Sequence, residues 1–171
     1  MHYYLFTLIS LLLLAGGCKK PDDKPEEPVL PPATQTGAYT FGCRVNGEVW
    51  VAKTKTLQLP LVVQYHAGEL HIRARRYNNE ADTEIDLTYF GGITGPGEYV
   101  IRTRFNAGKE SQEATYYGTQ DYNADTSGSG LLTITRLDTA AEIISGTFYF
   151  DAYSSKGDAV HLTDGRFDAD F

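Results

Sequence analysis

Asp121, Asn123, Asp125 and Ser127 place an oxygen at every second position ahead of Gly128, the spacing at which a calcium loop gathers its ligands. The sixth position of that run is Thr126, where such a loop takes Gly, and the twelfth is Leu132, where it takes a bidentate Glu. A polar loop with an Asx turn accounts for the segment, and no metal is expected. Tyr116, Tyr117 and Tyr122 lie in the same irregular stretch. Aromatic rings on a loop stack on sugars or on a protein partner, so these three are the candidate ligand-binding residues. The plainer role open to them is to cover the end of the core. His66, His71 and His161 fall on different hairpins. No Gly-x-Ser-x-Gly, His-Glu-x-x-His or P-loop pattern occurs. No catalytic residue and no cofactor is expected, and the domain reads as non-enzymatic.

The densest charged cluster is Arg73, Arg75, Arg76, Glu84, Asp86, Arg102 and Arg104. It could hold an anion, but pairing across strands explains it more simply. A two-residue turn at Asn78-Asn79 sets Arg75 against Asp82, Arg73 against Glu84 and His71 against Asp86. The next strand would add Arg104 to Glu84 and Arg102 to Asp86. Such a ladder on a solvent-facing sheet contributes roughly 0.2–1 kcal/mol per pair. His161 is expected to face Asp168 across a turn at Asp164-Gly165.

The elements that carry these residues are strands. Apolar residues alternate at Phe41, Cys43 and Val45, at Leu61, Val63 and Tyr65, at Leu70, Ile72 and Ala74, and at Ile85, Leu87 and Tyr89. Period-2 alternation of this kind marks half-buried β-strands. Asn46-Gly47 is a strong hairpin signal and predicts Cys43 opposite Trp50. Leu131 to Leu137 and Ile143 to Tyr153 form a further hairpin. The expected fold is all-β, an antiparallel meander of nine to ten strands in a closed barrel or a β-sandwich.

The thiol of Cys18 supplies the remaining chemistry. It follows Leu14-Ala15-Gly16-Gly17 at the end of an apolar run. The thirteen residues from Leu5 to Gly17 are too few for a spanning helix, which needs ~20. Gly16-Gly17-Cys18 resembles the lipobox of bacterial lipoproteins. The resemblance implies cleavage before Cys18, a thioether to diacylglycerol and acylation (palmitate or a similar chain) of the new amine. Residues 1–17 then form a lipoprotein signal peptide. Cys43 is left as a lone thiol and reads as a small buried residue.

Lys19 to Thr36 holds five prolines and four acids, a composition that cannot bury enough apolar surface to fold. Residues 18–36 are read as a disordered Pro/acidic tether and 37–171 as a single β domain. Three of the basic residues lie in the tether, leaving twelve basic and eighteen acidic residues, a net charge of −6, on the domain. That balance repels phosphate backbones and excludes nucleic acid as a partner.

Phe41-Gly42-Cys43-Arg44-Val45-Asn46-Gly47-Glu48-Val49-Trp50, Ile144-Ser145-Gly146-Thr147-Phe148 and Thr163-Asp164-Gly165-Arg166-Phe167-Asp168 together are similar to a family of small Bacteroidota lipoproteins of unknown function. The resemblance implies an exported, lipid-anchored β domain and supplies no catalytic residues. The expected protein is a cell-envelope lipoprotein of the outer membrane, held by its lipid at the cell surface, or alternatively on the periplasmic face. Its expected role is to bind a glycan or an envelope protein. A calycin-like carrier of a small apolar ligand and an envelope hydrolase are the alternatives.

Overall fold

The structure, a computed structural model, describes residues 28–54, 57–77, 82–101, 112–124 and 130–171. Residues 1–17, read from sequence as a signal peptide, and Cys18 lie outside the described residues. Eleven strands and no helix are found among those described. β1 (Thr40–Val45) and β2 (Glu48–Val51) form the first hairpin. Its turn residues Asn46 and Gly47 have φ of 51° and 89°, the left-handed pair that keeps the twist of the flanking strands. Cys43 stands opposite Trp50, as the sequence predicts. β3 (Leu61–His66), β4 (Glu69–Arg76) and β5 (Thr83–Tyr89) follow as antiparallel neighbours. The remaining strands are β6 (Gly97–Ile101), β7 (Gln112–Tyr117), β8 (Asp121–Ala124), β9 (Gly130–Asp138), β10 (Ile143–Tyr153) and β11 (Ala159–Asp170).

Nine strands form one path, β2-β1-β11-β10-β8-β7-β5-β4-β3, while β9 pairs with β10 and β6 with β9. The long β10 serves two neighbours on one edge, β9 along its first half and β8 at Ala152 and Tyr153. The sheet curls into a half-barrel. Lys53, just past β2, meets Arg76 at the end of β4 in an isolated bridge. The concave side holds Phe41, Trp50, Phe148 and Phe150 among Leu, Ile and Ala side chains. Phe41 packs edge-on against Trp50, with ring centroids 5.9 Å apart, and against Phe148 at 5.1 Å. Cys43 is fully buried in this core, and burial pushes its thiol up to about 12, so it behaves as a small apolar residue.

The path departs from a simple meander. β5 has β4 on one edge and β7 on the other, so β6 crosses to β9 instead. The corner before β6 explains the detour. Ile93 is fully buried, its N–H donates to the carbonyl of Gly68, and its carbonyl accepts the Tyr65 hydroxyl at 2.8 Å. The chain is thereby tied to the β3–β4 hairpin and directed away from β5. The expected pairs of Glu84 with Arg104 and Asp86 with Arg102 are overturned, because Tyr117 and Thr115 stand opposite those acids. Arg102 and Arg104 lie outside the described residues.

The register between β4 and β5 also differs from the expected one, by two residues. Arg75 pairs with Glu84, Arg73 with Asp86 and His71 with Thr88. Arg76 is already opposite Thr83, so the connection is longer than a two-residue turn. The charged set is the expected one: the directly opposed partners move along by two, yet His71 still meets Asp86 and Arg73 still meets Glu84 on the diagonal, each at 3.1 Å.

Asp164-Gly165 is not a turn. β11 runs through it, paired with β10 on one side and β1 on the other. Thr163 and Asp164 together face Tyr149, and Asp164 has φ of 52°, which makes the step a β-bulge. His161 consequently faces Asp151, with Nδ1 2.7 Å from the carboxylate. Asp168, its expected partner, is 0% exposed. Its carboxylate accepts the hydroxyls of Thr34, Thr36 and Ser145 and the backbone N–H groups of Thr36, Gly37 and Ala38, at 2.7–3.2 Å. Pro31 lies over Gly42, where an added Cβ would come within 2.7 Å of the proline ring. The stretch from Pro31 to Thr36, read from sequence as the end of the tether, is therefore laid on the domain.

Candidate functional site

The β3–β4 hairpin presents polar side chains in cross-strand pairs, Gln64 opposite His71 and His66 opposite Glu69. Their inward neighbours Val63, Leu70 and Ile72 are buried, so alternation leaves the polar set on the other face. Thr88 stands opposite His71 on β5. Beyond β5 the chain bends at Phe90, whose ring is 50% exposed. These groups line a groove of about 440 Å³, with Tyr65, Tyr89 and Phe171 also in its wall. That volume falls within the range of small-molecule sites.

The wall is braced from behind. Tyr65 and Phe171 meet edge to face at 5.2 Å. The buried Tyr89 donates its hydroxyl to the carbonyl of Val100 at 3.0 Å. His71 is held through Nε2, 3.1 Å from Asp86 Oδ1. Asp86 also accepts Arg73 Nε and Nη2 at 3.0 and 2.9 Å and the Thr88 hydroxyl at 3.0 Å. Burial would raise the Asp86 pKa, but the hydrogen bonds and charges of His71, Arg73 and Thr88 outweigh it and hold the carboxyl below its usual value. The bond to Asp86 in turn holds the Arg73 guanidinium above its own usual value. Arg73 also reaches Glu84 at 3.1 Å, and Glu84 pairs with Arg75. The groove is thus lined by aromatic and aliphatic side chains together with amide, imidazole and carboxylate groups, and one imidazole is fixed in place.

The candidate tyrosines do not share a surface. Tyr116 and Tyr122 pair across β7 and β8 with centroids 6.0 Å apart and pack against the core. Tyr117, the next residue, lies on the opposite face beside Arg75, Tyr77 and Glu84. Alternation along β7 separates adjacent residues, and burial raises the pKa of both Tyr116 and Tyr117. Of the calcium-like run, Asp121 and Asn123 lie in β8, while Asp125 and Ser127 fall outside the described residues. Among the described residues, no group of three or more His, Cys, Asp or Glu side chains is placed to hold a metal. Sequence reasoning missed the groove as a unit, although the polar pairs flanking Ala67-Gly68 are visible in the alternation.

Fold and groove together define an all-β half-barrel domain with a ligand-sized groove beside one hairpin. Residues 38–169 match the family described as Domain of unknown function (DUF6252), and the chain belongs to it. No curated protein and no solved structure matches the chain.

Proposed function

We propose that this chain is a lipid-anchored cell-envelope lipoprotein of the Bacteroidota type, whose β domain is a non-enzymatic glycan-binding module. Residues 1–17 are the signal peptide, Cys18 carries the lipid, and the domain stands at the outer-membrane surface on the segment that follows. The groove beside the β3–β4 hairpin carries the reading. An exposed Phe90 ring stands next to Gln64, His66 and Glu69, an apolar face beside hydrogen-bonding edges, as a sugar ring requires.

Two observations favour this over the alternatives. Phe41, Trp50, Phe148 and Phe150 occupy the concave side, where a carrier would hold its cargo. Asp86 orients His71 as in a hydrolase, but the nearby Thr88 hydroxyl donates to Asp86 and, among the described residues, no serine lines the groove, so no side-chain nucleophile is paired with the imidazole there.

Protease treatment of intact cells, with lysed cells and Cys18→Ala for comparison, tests the placement. Cleavage in intact cells that depends on Cys18 is expected; protection until lysis would overturn surface exposure. A panel of envelope and host glycans presented to the purified full chain tests the binding role. Retention of at least one glycan class is expected, and a blank panel would count against the module.

A further inference from the structure

The outer face of β6, β9, β10 and β11 carries two rows set by register. Val100, Leu131 and Tyr149 are cross-strand neighbours and form an apolar row. Glu98, Thr133, Thr147 and Arg166 form a polar row beside it. The rows lie two residues apart along each strand, about 7 Å. Tyr149 is 50% exposed. A groove of about 300 Å³ runs along the β10–β11 side of this face, with Asp164 of the bulge at its rim. The bulge brings backbone in closely: a Cβ on Gly165 would lie 2.5 Å from the Phe148 carbonyl and 2.6 Å from its ring.

Several groups that face this groove keep unused hydrogen-bonding capacity. The hydroxyls of Thr133, Thr147 and Tyr149 make no hydrogen bond within the described residues, and Arg166 uses only Nε, on the carbonyl of Asp164 at 3.1 Å. No described carboxylate pairs with Arg166, while the Asp164 carboxylate is matched by Arg44 at 3.3 Å. Glu98 is three strands away from Arg166, about 14 Å, beyond the Debye length of about 8 Å at physiological salt. An aromatic ring, a line of hydroxyls and a guanidinium without an ion-pair partner among the described residues thus meet on one groove next to a bulge, a place where bulges commonly re-aim side chains for function.

We propose that this face binds a carboxylate-bearing sugar, a uronate, at a site separate from the groove beside β3 and β4. The C–H face of the sugar ring rests on Tyr149 and Leu131. Its hydroxyls meet Thr133 and Thr147. Its carboxylate takes the two terminal nitrogens of Arg166 in a forked pair.

The test is calorimetric titration of the full chain in mild detergent with a short oligogalacturonate, its methyl ester and polyglutamate. The oligogalacturonate is expected to bind, the ester and polyglutamate at least about tenfold more weakly. Arg166→Gln and Tyr149→Ala, both at accessible side chains and checked for fold by circular dichroism, are each expected to weaken oligogalacturonate binding by about tenfold or more. Tyr117→Ala, outside both grooves, is expected to leave it unchanged, and loss in Phe90→Ala with Arg166→Gln unaffected would place the ligand in the other groove and overturn the proposal. Absence of binding, indifference to Arg166→Gln, or equal binding of the ester or of polyglutamate would overturn the proposal.

Discussion

Asp168 and Asp86 are both buried carboxylates held below their usual pKa, and they are held in different ways. Asp168 is surrounded by neutral donors, most of them from the segment Thr34–Ala38 ahead of β1. Asp86 is met by a histidine, an arginine and a threonine hydroxyl at the edge of a groove. The first arrangement closes the fold, because a single acceptor gathers N–H and O–H groups that would otherwise be buried without partners. The second orients a side chain, because Asp86 fixes His71 beside the groove. A buried acid is therefore read by the origin of its donors: chain ends imply a clasp, and side chains bordering a cavity imply a site.

The largest effect is expected at the clasp. Asp168→Ala leaves the Ser145 hydroxyl and three backbone N–H groups without their acceptor and should cost about 3–4 kcal/mol, read as a lowered urea midpoint at unchanged slope. A cost below about 1 kcal/mol would mean that water or another group replaces the carboxylate. Acid should show the same ranking. Both folded pKa values lie below the unfolded value of about 3.9, so each group contributes stability that is complete above that value and lost as pH falls through the folded one. Urea titrations from neutral pH downwards should show stability falling below about pH 4, with a smaller fall in Asp168→Asn.

Asp86→Asn should cost less, about 1–3 kcal/mol, because Arg73 keeps Glu84 as a partner. The sharper readout is the imidazole: NMR of the His71 ring should show greater rotational freedom in Asp86→Asn, and an unchanged ring would end the claim that Asp86 positions it. Thr34→Ala removes one of the donors to Asp168 and should cost about 1 kcal/mol. It should also speed amide exchange at Thr36 and Gly37, and unaltered exchange would show that the N-terminal segment is held by other contacts.

Much of the sheet is legible in the sequence. Alternation around Phe41, Ile72, Ile85 and Phe150 marks strands, and Asn46-Gly47 sets the β1–β2 register because only residues tolerant of positive φ fit that turn. The charged residues of β4 and β5 are also readable as a ladder. Their register is not, because it depends on the length of the connection after Arg76. The crossing of β6 to β9 depends on Ile93 meeting the Gly68 carbonyl and the Tyr65 hydroxyl of the β3–β4 hairpin, contacts that alternation does not mark. Asp164-Gly165 has turn chemistry but lies between two pairing partners, and an isolated strand cannot reveal that. Asp168 reads as an exposed acid until the segment carrying Thr34 and Thr36 is laid against it. The groove was hidden for a similar reason: Phe90 ranks as one more apolar residue until the corner after β5 leaves it on the surface, and loop tyrosines draw attention that strand alternation then divides.

Glycan binding in the groove beside the β3–β4 hairpin is expected to run through Phe90 and its polar neighbours. The most direct measurement is titration of the full chain with the glycan class retained from the panel, comparing the unaltered protein with Phe90→Ala and Tyr117→Ala. Phe90 is half exposed, so its removal should change stability by no more than about 0.5 kcal/mol while weakening binding by about tenfold or more. Tyr117→Ala should leave binding intact. Equal affinity in the Phe90→Ala protein would remove the site from this groove, and loss confined to Tyr117→Ala would move it to the β7 face.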